Sequence, residues 1–109
     1  MIYPDKEFMY ESEYLNGWKN GKGKEYYKYS GIDEDKGELI FDGEFLDDKR
    51  WKGKGKEIGL YNETIFKGEY LNGQYWNGTK YNYDLDLYGP CKVSEEIYTN
   101  GKMKLINHI

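Results

Sequence analysis

Phe41-Asp42-Gly43-Glu44-Phe45 decides the fold, because two further stretches of the chain nearly repeat it. They are Tyr10-Glu11-Ser12-Glu13-Tyr14 and Phe66-Lys67-Gly68-Glu69-Tyr70. In all three, aromatic and small residues occupy every second position, and charged residues stand between them. This alternation predicts a β-strand with one aromatic face and one charged face. The small residue between the two aromatics either relieves crowding between rings or opens a shallow slot.

A second motif follows the first two copies. It is the pentapeptide Gly-Lys-Gly-Lys-Glu at 21–25 and 53–57, which has decayed to Gly78-Thr79-Lys80-Tyr81-Asn82 in the third copy. Each unit of such a tandem repeat needs its neighbours to bury its apolar face. The sequence therefore predicts one all-β domain over residues 1–109. Its predicted units are repeats at about 8–29, 38–61 and 63–88, with a degenerate capping hairpin at about 93–106.

Asn-Gly pairs predict the turns between the strands, since both residues tolerate the positive φ that a type I′ hairpin turn requires. The chain contains five such pairs: Asn16-Gly17, Asn20-Gly21, Asn72-Gly73, Asn77-Gly78 and Asn100-Gly101. In the third repeat, alternating residues predict a long second strand that runs from Lys80 to Tyr88. Gly89-Pro90 is expected to end it.

The composition restricts the function. The formal net charge is −4, and charged residues of both signs make up 33% of the chain. This balance disfavours binding to nucleic acid and makes direct membrane binding unexpected. Lys52, Lys54 and Lys56 could still touch phosphates, but a solvated strand face is the favoured interpretation. No apolar run approaches the roughly 20 residues of a membrane helix, and Met1–Glu7 lacks the features of a signal peptide, so a cytoplasmic location is expected.

The sequence shows no recognisable catalytic set. His108 is the only histidine and stands next to the terminus. Cys91, the only cysteine, follows Pro90 and is expected to be a half-buried structural thiol. The acidic segment Asp33-Glu34-Asp35 lacks the ligand spacing of an EF-hand loop. We therefore expect no enzyme activity, no metal and no cofactor.

The three units resemble MORN repeats, whose core runs Tyr-x-Gly-x-aromatic and continues with spaced glycines. The matching residues are Phe41, Gly43, Phe45, Gly53 and Gly55 in the middle repeat, and Phe66, Gly68, Tyr70, Gly73 and Gly78 in the third. Ser12, Asp48 and Lys80 stand where the family has glycine. The resemblance covers about residues 8–88 and extends weakly into the tail.

This resemblance implies an elongated, single-layer antiparallel sheet of stacked β-hairpins, the MORN-repeat half-pipe, with an aromatic groove on one face. Rings packed along that face would stabilise the sheet, and several should stay accessible because the sequence supplies no covering layer. Trp51 and Trp76 are expected at the mouths of hairpin turns, and exposed Trp is a typical interface anchor. The predicted partner-binding residues are Tyr10, Tyr14, Phe41, Phe45, Trp51, Phe66, Tyr70 and Trp76.

Taken together, these features predict a non-enzymatic protein–protein interaction or scaffold module. It would bind a partner segment through the aromatic groove or through a sheet edge. Self-association is a further expectation, for example as a homodimer through the terminal hairpins. Two alternatives stay open: a carbohydrate-binding repeat module of the cell-wall type, and a self-assembling structural component.

Overall fold

The computed structural model of the chain describes residues 6–29 and 37–107. The expectations about Asp33-Glu34-Asp35 and His108 concern residues outside these ranges. The described residues form eight strands: β1 (Lys6–Leu15), β2 (Trp18–Tyr29), β3 (Glu38–Leu46), β4 (Lys49–Ile58), β5 (Thr64–Leu71), β6 (Gln74–Asp86), β7 (Gly89–Thr99) and β8 (Lys102–Asn107).

All eight strands belong to one open sheet in which each strand pairs antiparallel with the next one along the chain. The molecule measures 46 × 38 × 19 Å along its principal axes. This confirms the predicted all-β, single-layer antiparallel sheet of stacked hairpins. The tail supplies the last hairpin, β7–β8.

Four of the turns contain two consecutive residues with positive φ, as type I′ geometry requires. They are Asn16-Gly17, Asp47-Asp48, Asn72-Gly73 and Asn100-Gly101. The prediction of turns at Asn20-Gly21 and Asn77-Gly78 is wrong, because these pairs lie inside β2 and β6. At Gly21 the pairing register shifts, so its positive φ serves a β-bulge instead of a turn. Gly78 pairs with Gly68 in regular register.

The hairpin β6–β7 also differs from the prediction at its tip. Strand β6 ends at Asp86, Leu87-Tyr88 forms the turn, and Gly89-Pro90 begins β7 instead of ending β6. The Tyr88 N–H donates to Asp86 Oδ1 at 2.8 Å. This side-chain bond stabilises the turn locally. The alternating residues of this segment predicted a strand that continues through the turn.

The core lies on one side of the sheet, which we call the ring face because Phe41 and Phe45 point to it. The opposite side, to which Asp42 and Glu44 point, is the charged face. On the ring face, six aromatic side chains pack together and form the ring cluster: Phe41, Phe45, Phe66, Tyr70, Tyr75 and Tyr98. Phe41 and Phe66 are only 1% and 0% exposed, although no described layer covers this face.

Glycines let neighbouring strands approach each other closely. Gly43 and Gly53 pair across β3 and β4, and Gly68 and Gly78 pair across β5 and β6. A Cβ on Gly43 would stand 2.7 Å from Gly53 Cα, and one on Gly68 would stand 2.6 Å from Gly78 Cα. Gly43 and Gly68 therefore relieve crowding between the backbones of paired strands, whereas the sequence predicted relief of crowding between rings.

We therefore expect Gly43→Val and Gly68→Val each to lower the free energy of unfolding by about 1–3 kcal/mol, because the new side chain overpacks the strand pair. Urea unfolding followed by circular dichroism measures this. Glu44→Val, which adds the same side chain on the exposed face of β3, is the control. Equal midpoints for wild type and both glycine variants would contradict the strand register.

Candidate functional site

The repeated aromatic strands build the ring cluster. Within β3 the ring centroids of Phe41 and Phe45 are 5.3 Å apart, and those of Phe66 and Tyr70 within β5 are also 5.3 Å apart. The Phe41 and Tyr70 rings meet edge to face at 5.6 Å, which joins the two repeats. Tyr75 from β6 stacks on Phe66 at 3.8 Å. Each such ring pair contributes roughly 0.5–1.5 kcal/mol beyond area burial.

The eight predicted partner-binding residues fall into two groups. Phe41, Phe45, Phe66 and Tyr70 are buried in the ring cluster. Tyr10, Tyr14 and Trp51 are 41%, 58% and 38% exposed, and Trp76 is half-buried. The first group therefore serves as the core, and only the second group offers side-chain surface to a partner.

A cation, which the sequence analysis did not assign to this site, also packs on the rings of the cluster. The Arg50 guanidinium lies 4.8 Å from the centroid of the Phe41 ring and 5.3 Å from that of Tyr70. Its Nε donates to Glu25 Oε1 at 3.1 Å, and both side chains are nearly enclosed. Burial works to lower the pKa of Arg50, but its bonds to Glu25 and Tyr70 outweigh burial and raise it.

A chain of hydrogen bonds continues from Arg50 across three further side chains. Arg50 Nη1 donates to Tyr70 Oη at 2.8 Å, and Tyr70 Oη donates to Glu57 Oε1 at 3.1 Å. Tyr75 Oη donates to the other oxygen of Glu57 at 2.9 Å. Burial is the main cause that raises the pKa of Tyr70 and Tyr75, and the Glu57 carboxylate adds to it. Both phenols therefore keep the protons that they donate. We call Glu25, Arg50, Tyr70, Glu57 and Tyr75 the polar network.

The repeated pentapeptide could have predicted part of this network from the sequence. In Gly-Lys-Gly-Lys-Glu, period-two alternation places the glycines and the glutamate on one face and the lysines on the other. Glu25 pairs with Phe41, and Glu57 pairs with Phe66, so both carboxylates lie on the ring face. The repeated pentapeptide thus marks a polar site beside the rings.

Trp51 and Trp76 tie each hairpin to the turn of the next one. Each is the extra residue of a β-bulge, since the register skips it between neighbouring pairs. The N–H of Gly73 donates to the Trp51 carbonyl at 2.9 Å, and the N–H of Gly101 donates to the Trp76 carbonyl at 2.8 Å. Each indole ring also lies against that glycine. These tryptophans lie near the turns, as expected, and link successive repeats.

Between the first two hairpins, a contact between Lys19 and Asp48 replaces the tryptophan contact. The Asp48 N–H donates to the Lys19 carbonyl at 3.0 Å, and Asp48 Oδ1 accepts from the Lys19 N–H at 2.6 Å. The Lys19 ammonium lies 4.0 Å from the centroid of the Tyr10 ring. Tyr10 is therefore fixed in position while remaining partly exposed, which suits a binding residue.

On the charged face, opposite charges alternate from strand to strand along one row, whereas the adjacent row brings Lys56 opposite Lys67. The alternating row runs through six strands, and we call it the charge ladder: Glu11, Lys24, Asp42, Lys54, Glu69 and Asn77. Opposite charges at such positions stabilise a sheet, and like charges destabilise it. Odd strands carry acidic residues in this row and even strands carry lysine, up to Asn77.

A groove of about 790 Å³ lies on the charged face and is lined by Asp42, Lys54, Lys67 and Glu69 among others. Charges of both signs line it, so it shows no preference for an anionic or a cationic partner. A smaller pocket of about 420 Å³ lies beside Glu57, Tyr75 and Tyr98.

Within residues 6–29 and 37–107, no cluster of three His, Cys, Asp or Glu side chains could hold a metal ion. No helix in the described part is long and apolar enough to cross a membrane. Cys91 is exposed near the tip of hairpin β6–β7, so the expectation of a half-buried thiol is wrong.

Comparisons with protein-family models, with curated proteins and with solved structures find no match.

We expect Arg50→Met to lower the free energy of unfolding by about 3 kcal/mol, because it leaves the enclosed Glu25 carboxylate without its cation. Chemical denaturation measures the loss, and Lys49→Met, at the exposed neighbouring residue, is the control. Glu25→Gln combined with Arg50→Met should cost less than the sum of the two single changes. Additive losses would contradict the ion pair.

Proposed function

We propose that this chain is a non-enzymatic protein–protein interaction or scaffold module. The observation that carries the proposal is the division of its aromatic residues: the ring cluster holds the sheet together, while Tyr10, Tyr14 and Trp51 remain exposed. Tyrosine and tryptophan are enriched among the residues that dominate binding energy at interfaces. A sheet that keeps such side chains exposed offers a partner both apolar area and hydrogen bonds.

The proposal includes membership of the MORN-repeat family and a location in the cytoplasm. The repeated motifs support the family assignment, as do the consecutive hairpins that carry them. The single cysteine, Cys91, supports the location, since an internal disulfide needs two and disulfides are rare in the cytosol. Repeat sheets of this kind provide an extended surface, since each unit contacts only its neighbours. Such a surface suits the holding of a partner better than it suits the enclosure of a substrate.

The polar network supports a non-enzymatic role, because its ionisable groups are engaged with one another. Glu25 is paired with Arg50, and both oxygens of Glu57 accept phenol hydrogen bonds. A general acid or base would need to exchange protons with a substrate at such a position. Here the same contacts hold adjacent repeats together.

The test uses a variant that removes exposed rings and leaves the ring cluster intact. We expect Tyr14→Ser combined with Trp51→Ser to lose a protein that the wild type retains in affinity capture from the native source. The measurement is quantitative mass spectrometry of the captured proteins. The matched control is Leu87→Ser with Tyr88→Ser, which removes two exposed side chains at the opposite end of the sheet.

Because the Trp51 ring also lies against Gly73, circular dichroism must show that both variants remain folded at the temperature of the capture experiment. Capture that is equal for the two double variants would contradict binding through Tyr14 and Trp51. So would the absence of any protein retained by the wild type.

Carbohydrate binding is the second candidate function, and the pocket beside Glu57, Tyr75 and Tyr98 favours it. The tyrosine rings beside this open space of about 420 Å³ could stack on a sugar, and the Gln74 amide at its rim could bond the sugar hydroxyls. Affinity electrophoresis in gels that contain soluble polysaccharides tests this candidate. Retardation that Gln74→Ala, at the pocket rim, abolishes would favour it over protein binding.

A further inference from the structure

Two strands of the sheet, β1 and β8, each pair with only one neighbour among the described strands. Their outer backbone groups form the open edges of the sheet, and such edges are templates for pairing with another chain. Natural sheets often protect an edge with a cover, a bulge or inward charges. The side chains along the two edges therefore indicate which kind of strand can pair with them.

The two edges carry opposite charges on the charged face. Strand β1 presents Glu11 there and carries a second carboxylate two residues on at Glu13, which accepts the Lys22 N–H at 2.7 Å; strand β8 presents Lys102 and Lys104. The charge ladder ends at Asn77, and β7 places the neutral residues Thr99 and Ile97 opposite Lys102 and Lys104. A β1 strand placed on the other side of β8 would give these lysines acidic neighbours.

On the ring face, both edges expose apolar side chains. Phe8 and Tyr10 on β1 are 43% and 41% exposed, and Met103 and Leu105 on β8 are 52% and 51% exposed. In the interior of the sheet, residues at comparable positions are covered by the rings of the adjacent hairpin. Each edge therefore carries apolar surface that a further hairpin would cover.

We propose that copies of this chain associate head to tail, with the β8 edge of one copy pairing antiparallel with the β1 edge of the next. This deepens the proposed interaction function by naming a second copy as the partner of the sheet edges. In β1 the contact uses residues 8–13, whereas the proposed protein-binding surface uses Tyr14, the next residue of that strand, and Trp51 in β4.

One register pairs all six residues of β8 with β1 and matches both faces. With Lys102 opposite Glu13, the antiparallel count places Lys104 opposite Glu11 on the charged face. The same count places Leu105 opposite Tyr10 on the ring face. Ion pairs and apolar pairs thus form together, and each cross-strand pair contributes roughly 0.2–1 kcal/mol.

Charge disfavours the two-fold arrangements. In a β8–β8 pair that keeps each face on its own side, the two registers that pair five residues place Lys104 opposite Lys104 or opposite Ile106, so no lysine of β8 meets an opposite charge. In a β1–β1 pair, Glu11 and Glu13 face each other or themselves. Like charges directly opposite destabilise strand pairs. The head-to-tail contact avoids this repulsion, and because it joins two different surfaces it generates chains of copies instead of a closed dimer.

The contact is one strand wide, so we expect weak, concentration-dependent association. Sedimentation of the full 109-residue chain at low salt should show a weight-average mass that rises between about 10 μM and about 1 mM, the range expected for a small interface. Lys102→Glu with Lys104→Glu should remain monomeric. Lys49→Glu with Lys67→Glu, which makes the same charge change in central strands, should associate like the wild type.

Cross-linking tests the register directly. Ser12 and Met103 are opposite in this register, but within one copy they lie at the two ends of the sheet, about 34 Å apart at the usual strand spacing. In a Cys91→Ser background, Ser12→Cys with Met103→Cys should give a ladder of dimers, trimers and larger species with a short bismaleimide. Either cysteine alone should leave the chain monomeric.

Three results would overturn the proposal. They are a mass that stays monomeric over the whole concentration range, equal association of both lysine double variants, and dimers from a single-cysteine variant, which would indicate a two-fold contact. Because these measurements use the purified chain alone, their failure leaves binding through Tyr14 and Trp51 standing. The Tyr14→Ser, Trp51→Ser variant should associate like the wild type.

Discussion

The close approach of backbone to backbone at the paired glycines is the constraint on which this sheet depends. A single layer has no second sheet against which its rings could pack, so the rings must lie on the sheet itself. A Cβ on Gly55 would stand 2.9 Å from the Phe41 ring, and one on Gly78 would stand 3.0 Å from the Phe66 ring. Without these glycines the rings would be lifted from the backbone and exposed, and the stability that ring packing provides would fall.

Burial of the rings fixes which face each strand presents, and the tight turns fix its position along the neighbouring strand. A slip of one residue would move the rings to the wrong face. A slip of two would keep the faces, and it would still place Glu44 between Lys24 and Lys54, or Asp42 between Lys22 and Lys52. The charge ladder therefore stabilises the sheet without selecting the register. The two-residue turns select it, because the length of a turn sets which residues of its two strands pair.

Much of this fold was predictable because strand alternation and turn chemistry are local. The polar network was not, and Trp51 shows why. Counting by twos back from Gly53 assigns Trp51 to the ring face and Arg50 to the charged face. The bulge at Trp51 reverses the alternation, so that Arg50 pairs with Phe45 and lies over the rings. The position of a bulge depends on the partner strand and on the turn of the next hairpin. Neither is part of the local sequence pattern that predicts the strand.

The nearest-neighbour character of the sheet links its stability to whatever binds its edges. Interior hairpins are held on both sides by ring contacts, the polar network and the Trp51 and Trp76 carbonyl bonds, whereas the terminal hairpins are held on one side only. Strand β8 is exposed along its whole length. Any molecule that pairs with this strand supplies the missing neighbour and stabilises the folded state in proportion to its occupancy. Binding at an edge therefore also extends the packing that holds the repeats together, so recognition and stability arise from the same contacts.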